Sequence, residues 1–396
     1  MTLASRLPRV GWDLLAPYKE KAAAHPAGLV DLSVGTPVDP VPPVVRTALA
    51  AAADSPGYPA TQGTQRLREA AAGWLARRHG VSVSPEAVLP VIGTKEFISW
   101  LPLMLGCGPG DTVVHPELAY PTYAIGALLA GARVAAADGL LSLGPERVRL
   151  IWVNSPANPT GRVLPAGHLA KMARWARERG AVLASDECYL DLGYPAQPVS
   201  AQPVSAQAVS AQPVSAQPVS AQPVSALHPS ACDASHQGLL GVYSLSKRSN
   251  LAGYRAGFVA GDPDLIAQLR EVRRHAGMLV PGPVQAAMAA ALDDDEHAEE
   301  QRARYAARRD LLAAALTTAG WRIEHSEAGL YLWATHPDRD GWASAEALAQ
   351  AGILVAPGEL YGPAGARHIR VSLTATDERV RSAVARLPTL ADLRND

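Results

Sequence analysis

Residues 244–258 read SLSKRSNLAGYRAGF, and the rest of the chain makes sense around them. Lys247 closes an apolar run, LLGVYSLS, among small polar residues, and Arg255 follows past Gly253, which lets the backbone turn. A lysine amine that is held in place and can lose its proton condenses with an aldehyde. The hydroxyls of Ser244 and Ser246 and the Arg255 guanidinium are donors suited to a phosphate dianion. A lysine for an aldehyde beside a cradle for a phosphate describes a site for pyridoxal phosphate (PLP). Taken alone, SLSK also fits a surface lysine in a serine-rich turn; other stretches of the chain weigh against that.

From residue 88 apolar strand patterns alternate with helical ones: VLPVIG then TKEFISWLPLMLG, DTVVHP then YPTYAIGALLAGA, RVAAA, RLIWVNSP, and LPAGHLAKMARWARERG before AVLASDE. This rhythm predicts an α/β fold of right-handed βαβ units, with a mostly parallel sheet between helices. Ligands in such sheets bind beyond the carboxyl ends of the strands, where the candidate residues fall. VIGTKE (91–96) opens a helix at Thr94, leaving the N–H groups of Thr94 and Lys95 for a phosphate, or simply turning the chain. HPELAYPTY puts Tyr120 where its ring would stack on a pyridine or join the core. NSPANPTG (154–161) is an irregular loop exposing Asn154 and Asn158 at a strand end, and an asparagine amide can hydrogen-bond the phenolic oxygen of PLP. SDECY (185–189) follows the apolar AVLA, and a carboxylate at the end of a buried strand needs a partner. A protonated pyridine nitrogen would satisfy Asp186, which could otherwise cap a helix; Tyr189 reaches the same ring oxygen as Asn158. HIRVSLT sets Arg370 inside a strand, where a substrate α-carboxylate or an internal salt bridge would pair it.

Length and composition bound the rest. The 396 residues, 48% hydrophobic with a net charge of −1, suit one large α/β domain with a smaller appendage and give no electrostatic case for nucleic acid or a membrane surface. The N-terminus lacks the apolar core of a signal peptide, and no apolar run reaches the ~18 residues of a bilayer span, so a cytoplasmic location is expected. Cys107, Cys188 and Cys232 are too scattered for a disulfide framework or a zinc pattern, and no metal is expected. Residues 196–225 are six pentapeptides, AQPVS or AQAVS, whose proline spacing supports neither helix nor central strand; a flexible or polyproline-like surface excursion is expected. The resulting division is an N-terminal arm that forms part of a small domain (1–37), a large domain (38–283) carrying the repeats, and a small α+β C-terminal domain (284–396).

NPTG, DExY and SLSK…GYRAG, in this order and spacing, resemble the fold type I PLP-dependent aminotransferases of class I/II over nearly the whole chain. The resemblance implies that Lys247 carries the cofactor and serves as general base and acid, with Asp186 at the pyridine nitrogen and Asn158 and Tyr189 at the ring hydroxyl. It further implies a stacking Tyr120, a phosphate site of Thr94, Lys95, Ser244 and Arg255, and an α-carboxylate site at Gly35 and Arg370. Tyr58 matches a tyrosine that reaches the phosphate of a neighbouring subunit, which implies a homodimer with shared active sites. Ping-pong transfer from an amino acid to 2-oxoglutarate is the expected reaction. Whole phrases (LAPYKEKAAAHP, DLSVGTPVDPVP, HSEAGLYLWAT, LTATDERV) are most similar to succinyldiaminopimelate transaminases of lysine biosynthesis. Aminotransferases for aspartate, aromatic or acetylornithine donors and PLP-dependent lyases share the same core residues. A regulator that senses its ligand through such a domain would need a DNA-binding region before residue 40, for which the N-terminus is short and not basic enough.

Overall fold

The computed structural model describes residues 3–8, 11–139, 144, 146–194 and 222–387. Most of the pentapeptide array lies outside the described residues. The first strand, β1 (Val30–Asp31), precedes seven that form one sheet: β2 (Val88–Ile92), β3 (Thr112–His115), β4 (Arg133–Ala136), β5 (Val148–Asn154), β6 (Val182–Asp186), β7 (Leu239–Ser244) and β8 (Ala256–Gly261). Their spatial order is β2-β8-β7-β6-β5-β3-β4, and only β8 runs antiparallel to its neighbours. The α/β class with a mostly parallel sheet is thus as the alternation predicts. The central strand β7, LLGVYS, is buried along its whole length because helices cover both faces.

A second sheet is antiparallel: β9 (Arg322–Glu324), β10 (Tyr331–Thr335), β12 (Ala356–Pro357) and β13 (His368–Ser372), in the order β12-β13-β10-β9. Its apolar face packs with the helices Glu296–Thr318 and Asp377–Arg386 in a core of its own. Between them, β11 (Ile353–Leu354) pairs in parallel with β1. The chain after β1 then runs from this second sheet to the first: Ser372 N–H donates to the Leu32 carbonyl, and the Lys247 amine donates to the Gly35 carbonyl.

Two local expectations change. The helix Gly282–Asp293, assigned from residue 284 to the smaller part, buries Ala287, Met288, Ala291 and Leu292 in the same cluster as Val45 and Leu67, against the helices Pro43–Ala51 and Gln65–His79. Its sequence reads as apolar but does not say which sheet it covers. The repeat array also does not end on the surface. Ser225 is buried, its Oγ lies 3.0 Å from the Tyr243 hydroxyl and accepts from Leu227 N–H, and Ala226 N–H donates to Glu187 Oε1 at 2.7 Å. Deleting residues 196–220, five whole units, should therefore shift unfolding free energy by only about 1 kcal/mol, since loop-closure entropy varies slowly with length. A deletion that also removes Ser225 should cost a further ~1–3 kcal/mol by leaving buried polar groups unpaired. Denaturant titration of the two variants makes the comparison, and equal stabilities would remove the latch at Ser225.

Candidate active site

Asp186 and Asn154 end adjacent strands in register, and Ser244 ends the next, so three polar side chains meet at one edge of the large sheet. The second sheet closes over this edge and leaves a cleft of about 360 Å³. Gly35, Thr94, Lys95, Tyr120, Asn158, Asp186, Tyr189, Ser244, Ser246, Lys247, Arg255 and Arg370 all line it. Tyr58, the remaining residue singled out from sequence, stands 99% exposed and does not line the cleft. A larger cavity, about 560 Å³, holds none of these residues, and its charges pair among themselves: Arg78 and Arg302 with Glu299, and His79 with Asp191.

Lys247 sits at the turn from β7 into the short helix Leu245–Arg248, whose start is capped by the Ser244 hydroxyl accepting from Ser246 N–H. Burial pushes its amine down to about 8, and the nearby Arg370 and Arg255 cations act in the same direction. A neutral amine is a nucleophile and a base, so this environment prepares Lys247 for both roles.

Asp186 is buried, with Oδ2 accepting from the Tyr123 hydroxyl at 2.7 Å and Oδ1 from Cys188 N–H at 3.2 Å. Burial pushes its carboxyl up, and these hydrogen bonds oppose that. Asn154 fixes the adjoining loop: its Nδ2 donates to the carbonyls of Asp186 and Pro156, and its Oδ1 accepts from Asn158 N–H.

One end of the cleft is built around a helix start. The helix Thr94–Met104 begins after Gly93, which has φ 72° and no side chain. A Cβ there would lie 2.4 Å from Arg255 Nη2, so glycine is what admits the guanidinium against the helix start. The N–H groups of Thr94 and Lys95 face outward at the positive end of the helix, with the Ser244 and Ser246 hydroxyls nearby. Donors of this kind, grouped around a lysine, fit a phosphorylated aldehyde.

At the opposite end Arg370 lies on the central strand of the second sheet, buried, with its guanidinium carbon 3.9 Å from the Tyr331 ring and 4.7 Å from that of Tyr361. One terminal nitrogen donates to Asn158 Oδ1 at 2.8 Å and the other to the Ser33 carbonyl, while Nε has no partner among the described residues. A buried guanidinium whose Nε lacks an acceptor suits a carboxylate partner. Gly35 adjoins it: a Cβ at that position would strike the Tyr331 hydroxyl. Among the described residues no salt bridge satisfies Arg370, which weighs against that alternative.

The model of aminotransferase class I and II matches residues 27–387. The chain belongs to this family. The aminotransferase is 58% identical to a probable aminotransferase of Mycobacterium tuberculosis, over 97% of this chain and 86% of that protein. It is 56% identical to the 4-dedimethylamino-4-oxo-anhydrotetracycline transaminase OxyQ of Streptomyces rimosus, over 96% and 99%. Among solved structures, a probable N-succinyldiaminopimelate aminotransferase of Thermus thermophilus superposes with a TM-score of 0.80 at 29% identity, over 96% and 99% of the two chains. PLP is the cofactor of the aminotransferase, and amino acids and keto acids are its substrates.

Among the cleft residues of the aminotransferase that the sequence did not single out are Trp12, Tyr123 and Tyr331. Trp12 belongs to a short helical turn, Gly11–Leu15, and meets the Tyr361 ring edge-on at 6.0 Å. Tyr331 begins β10, with its hydroxyl 3.2 Å from that of Tyr189. A tyrosine two residues past a glycine at a strand start (GLYLW) is its local signal. Tyr123 gave none, since it reads as one more apolar helix residue.

Proposed function

We infer that the enzyme transfers the amino group of N-succinyl-LL-2,6-diaminopimelate to 2-oxoglutarate. Whole-chain phrase similarity and the likeness to the Thermus thermophilus structure support this donor. The observation that carries the site assignment is the convergence, in one cleft, of a lysine with a depressed proton affinity, a buried aspartate and a buried arginine whose Nε has no partner among the described residues. When bound, PLP supplies an aldehyde for the amine and a ring that withdraws electrons from the substrate α-carbon. In this reading the N–H groups of Thr94 and Lys95, with Ser244, Ser246 and Arg255, hold the phosphate. Asp186 holds the proton on the pyridine nitrogen, Asn158 and Tyr189 bond the ring oxygen, and Tyr120 covers the ring face. Arg370, beside Gly35, would orient the donor α-carboxylate, while Lys247 would take up the α-proton as general base and give it back as general acid. The exposed Tyr58 completes the phosphate site of a second copy, making the working enzyme a homodimer in the cytoplasm. A panel of amino donors with 2-oxoglutarate, read as glutamate release, tests the donor; a clear preference for any non-succinylated donor would overturn it.

The succinyl group carries a second carboxylate, which needs a cation. Lys95, Arg162, Arg248, Arg273, Arg274 and His275 are the basic residues near the site in sequence. Arg248 is buried against Asp191, Arg273 against Glu96 at 2.8 Å, and Arg274 and His275 pair with Glu271 on the surface. Of the six only Lys95 lines the cleft, and its amine has no partner among the described residues. Lys95→Ala should lower kcat/KM for the succinylated donor by ~10- to 150-fold, the value of about 1.5–3 kcal/mol for a charge-assisted bond. A donor without a distal carboxylate should be nearly unaffected; equal losses on both would detach Lys95 from the succinyl group.

A second reading has its own support. The 56% identity to OxyQ, together with Trp12, Tyr120 and Tyr331 in the cleft wall, suits a flat polycyclic ketone as amino acceptor. Such a ketone belongs in the acceptor panel beside 2-oxoglutarate.

A further inference from the structure

We propose that Tyr123 is a positioning residue: its hydroxyl keeps Asp186 a charged acceptor and thereby holds the proton on the pyridine nitrogen of the cofactor. The inference rests on the assignment of Asp186 to that nitrogen. Tyr123 lies in the first turn of the helix Thr122–Ala130 and is fully buried. Its ring stacks on Trp152 of β5, with centroids 5.1 Å apart and planes 27° apart, and meets the Tyr120 ring edge-on at 6.1 Å. That packing leaves the hydroxyl aimed at Asp186 Oδ2.

Among the described residues every group bonded to this carboxylate is neutral. Tyr123 approaches from the helix, and the backbone N–H and thiol of Cys188 from the loop after β6. Asn154 on β5 bonds the Asp186 main-chain carbonyl instead. No arginine or lysine is bonded to the carboxylate among the described residues, so hydrogen bonds from neutral donors are what oppose its burial. Burial raises the proton affinity of Asp186, and the Tyr123 bond is the largest opposing influence. Burial also pushes the Tyr123 phenol well above its ordinary value, so it remains a donor.

The consequence follows from one shared proton. It lies between a pyridine nitrogen and a carboxylate oxygen, and a second hydrogen bond to that carboxylate makes it the weaker base. The proton then stays on nitrogen, where the positive ring draws electrons best. Without the hydroxyl the carboxylate would be a stronger base, and the proton would shift part of the way toward oxygen because Cys188 N–H still bonds it. The proton count is unchanged; only its position moves.

The test uses holoenzyme loaded with ¹⁵N-labelled PLP and reads the nitrogen resonance at neutral pH, alongside kcat, KM and melting temperature. Tyr123→Phe keeps the ring and its stack on Trp152 and removes one oxygen. The wild type should show a protonated nitrogen, Asp186→Asn an unprotonated one, and Tyr123→Phe an intermediate position with kcat about 10-fold lower and KM nearly unchanged. Trp152→Phe disturbs the stack without touching the hydroxyl and should leave the resonance in place. A wild-type resonance in Tyr123→Phe, with Asp186→Asn displaced, overturns the proposal and leaves Asp186 assigned. Equal displacement in Tyr123→Phe and Trp152→Phe also overturns it, because ring packing and not the hydroxyl would then be responsible. If Asp186→Asn leaves the resonance unmoved, the assignment of Asp186 itself fails.

Discussion

Lys247→Ala should abolish transamination, by at least ~10⁴-fold in kcat, while PLP stays bound without a covalent link. Retention is expected because the N–H groups of Thr94 and Lys95, at the start of the helix Thr94–Met104, and Asp186, at the end of β6, belong to other segments, and the substitution leaves Ser244, Ser246 and Arg255 in the chain. Borohydride reduction of the wild-type holoenzyme should fix the cofactor to the peptide containing Lys247, and labelling of another lysine would sink the assignment. The pH dependence carries a sign. The folded amine sits at about 8, below its ordinary 10.5, so its neutral form is favoured in the folded protein. Uptake of PLP by the apoprotein should rise about tenfold per pH unit below that value and level off above it. Across the window from about 8 to 10.5 the unfolded chain binds more protons at this group, so Lys247 makes apoprotein stability rise with pH there. A rate flat from pH 6 to 9 would mean that the amine is not the attacking group.

Arg370→Ala should lower kcat/KM for α-amino acid donors by roughly two to four orders of magnitude, corresponding to about 3–6 kcal/mol for a lost bidentate, charge-assisted pair. Two protein acceptors, Asn158 Oδ1 and the Ser33 carbonyl, lose their donor in the same substitution, so melting temperature should fall as well. Arg370→Lys separates the effects: it keeps the charge but loses the planar fork and the stack on Tyr331, and should recover only a small part of the activity. An amine donor lacking the α-carboxylate should react at similar rates with wild type and both variants. If that amine loses as much as the amino acids do, Arg370 acts on the fold of the cleft and not on the carboxylate.

The two substitutions probe opposite kinds of residue. Lys247 could be found from sequence because its neighbours are local: the serines, the glycine and Arg255 lie within one short stretch. Arg370 could be suspected only as a charge out of place in an apolar strand, and its role waits on segments more than 200 residues away.

By itself the sequence determined the α/β class, the strand ends that carry Asn154, Asp186 and Ser244, and the cofactor, because each depends on short-range pattern: the alternation of strands and helices, a glycine before a helix, polar residues terminating apolar runs. It also set aside the pentapeptides as foreign to the pattern, but not that Ser225 is buried beside Tyr243. The tertiary structure decided what depends on contacts between distant segments. It placed the helix Gly282–Asp293 on the large sheet, paired Arg248 and Arg273 with carboxylates away from the cleft, and left Lys95 as the one distal-site candidate lining it. It also brought Tyr123 onto Asp186, 63 residues along the chain. A tyrosine in an apolar helix reads the same whether its hydroxyl meets solvent, backbone or a buried carboxylate; only the tertiary contacts of Tyr123, with Trp152 on β5 and Asp186 on β6, choose among them.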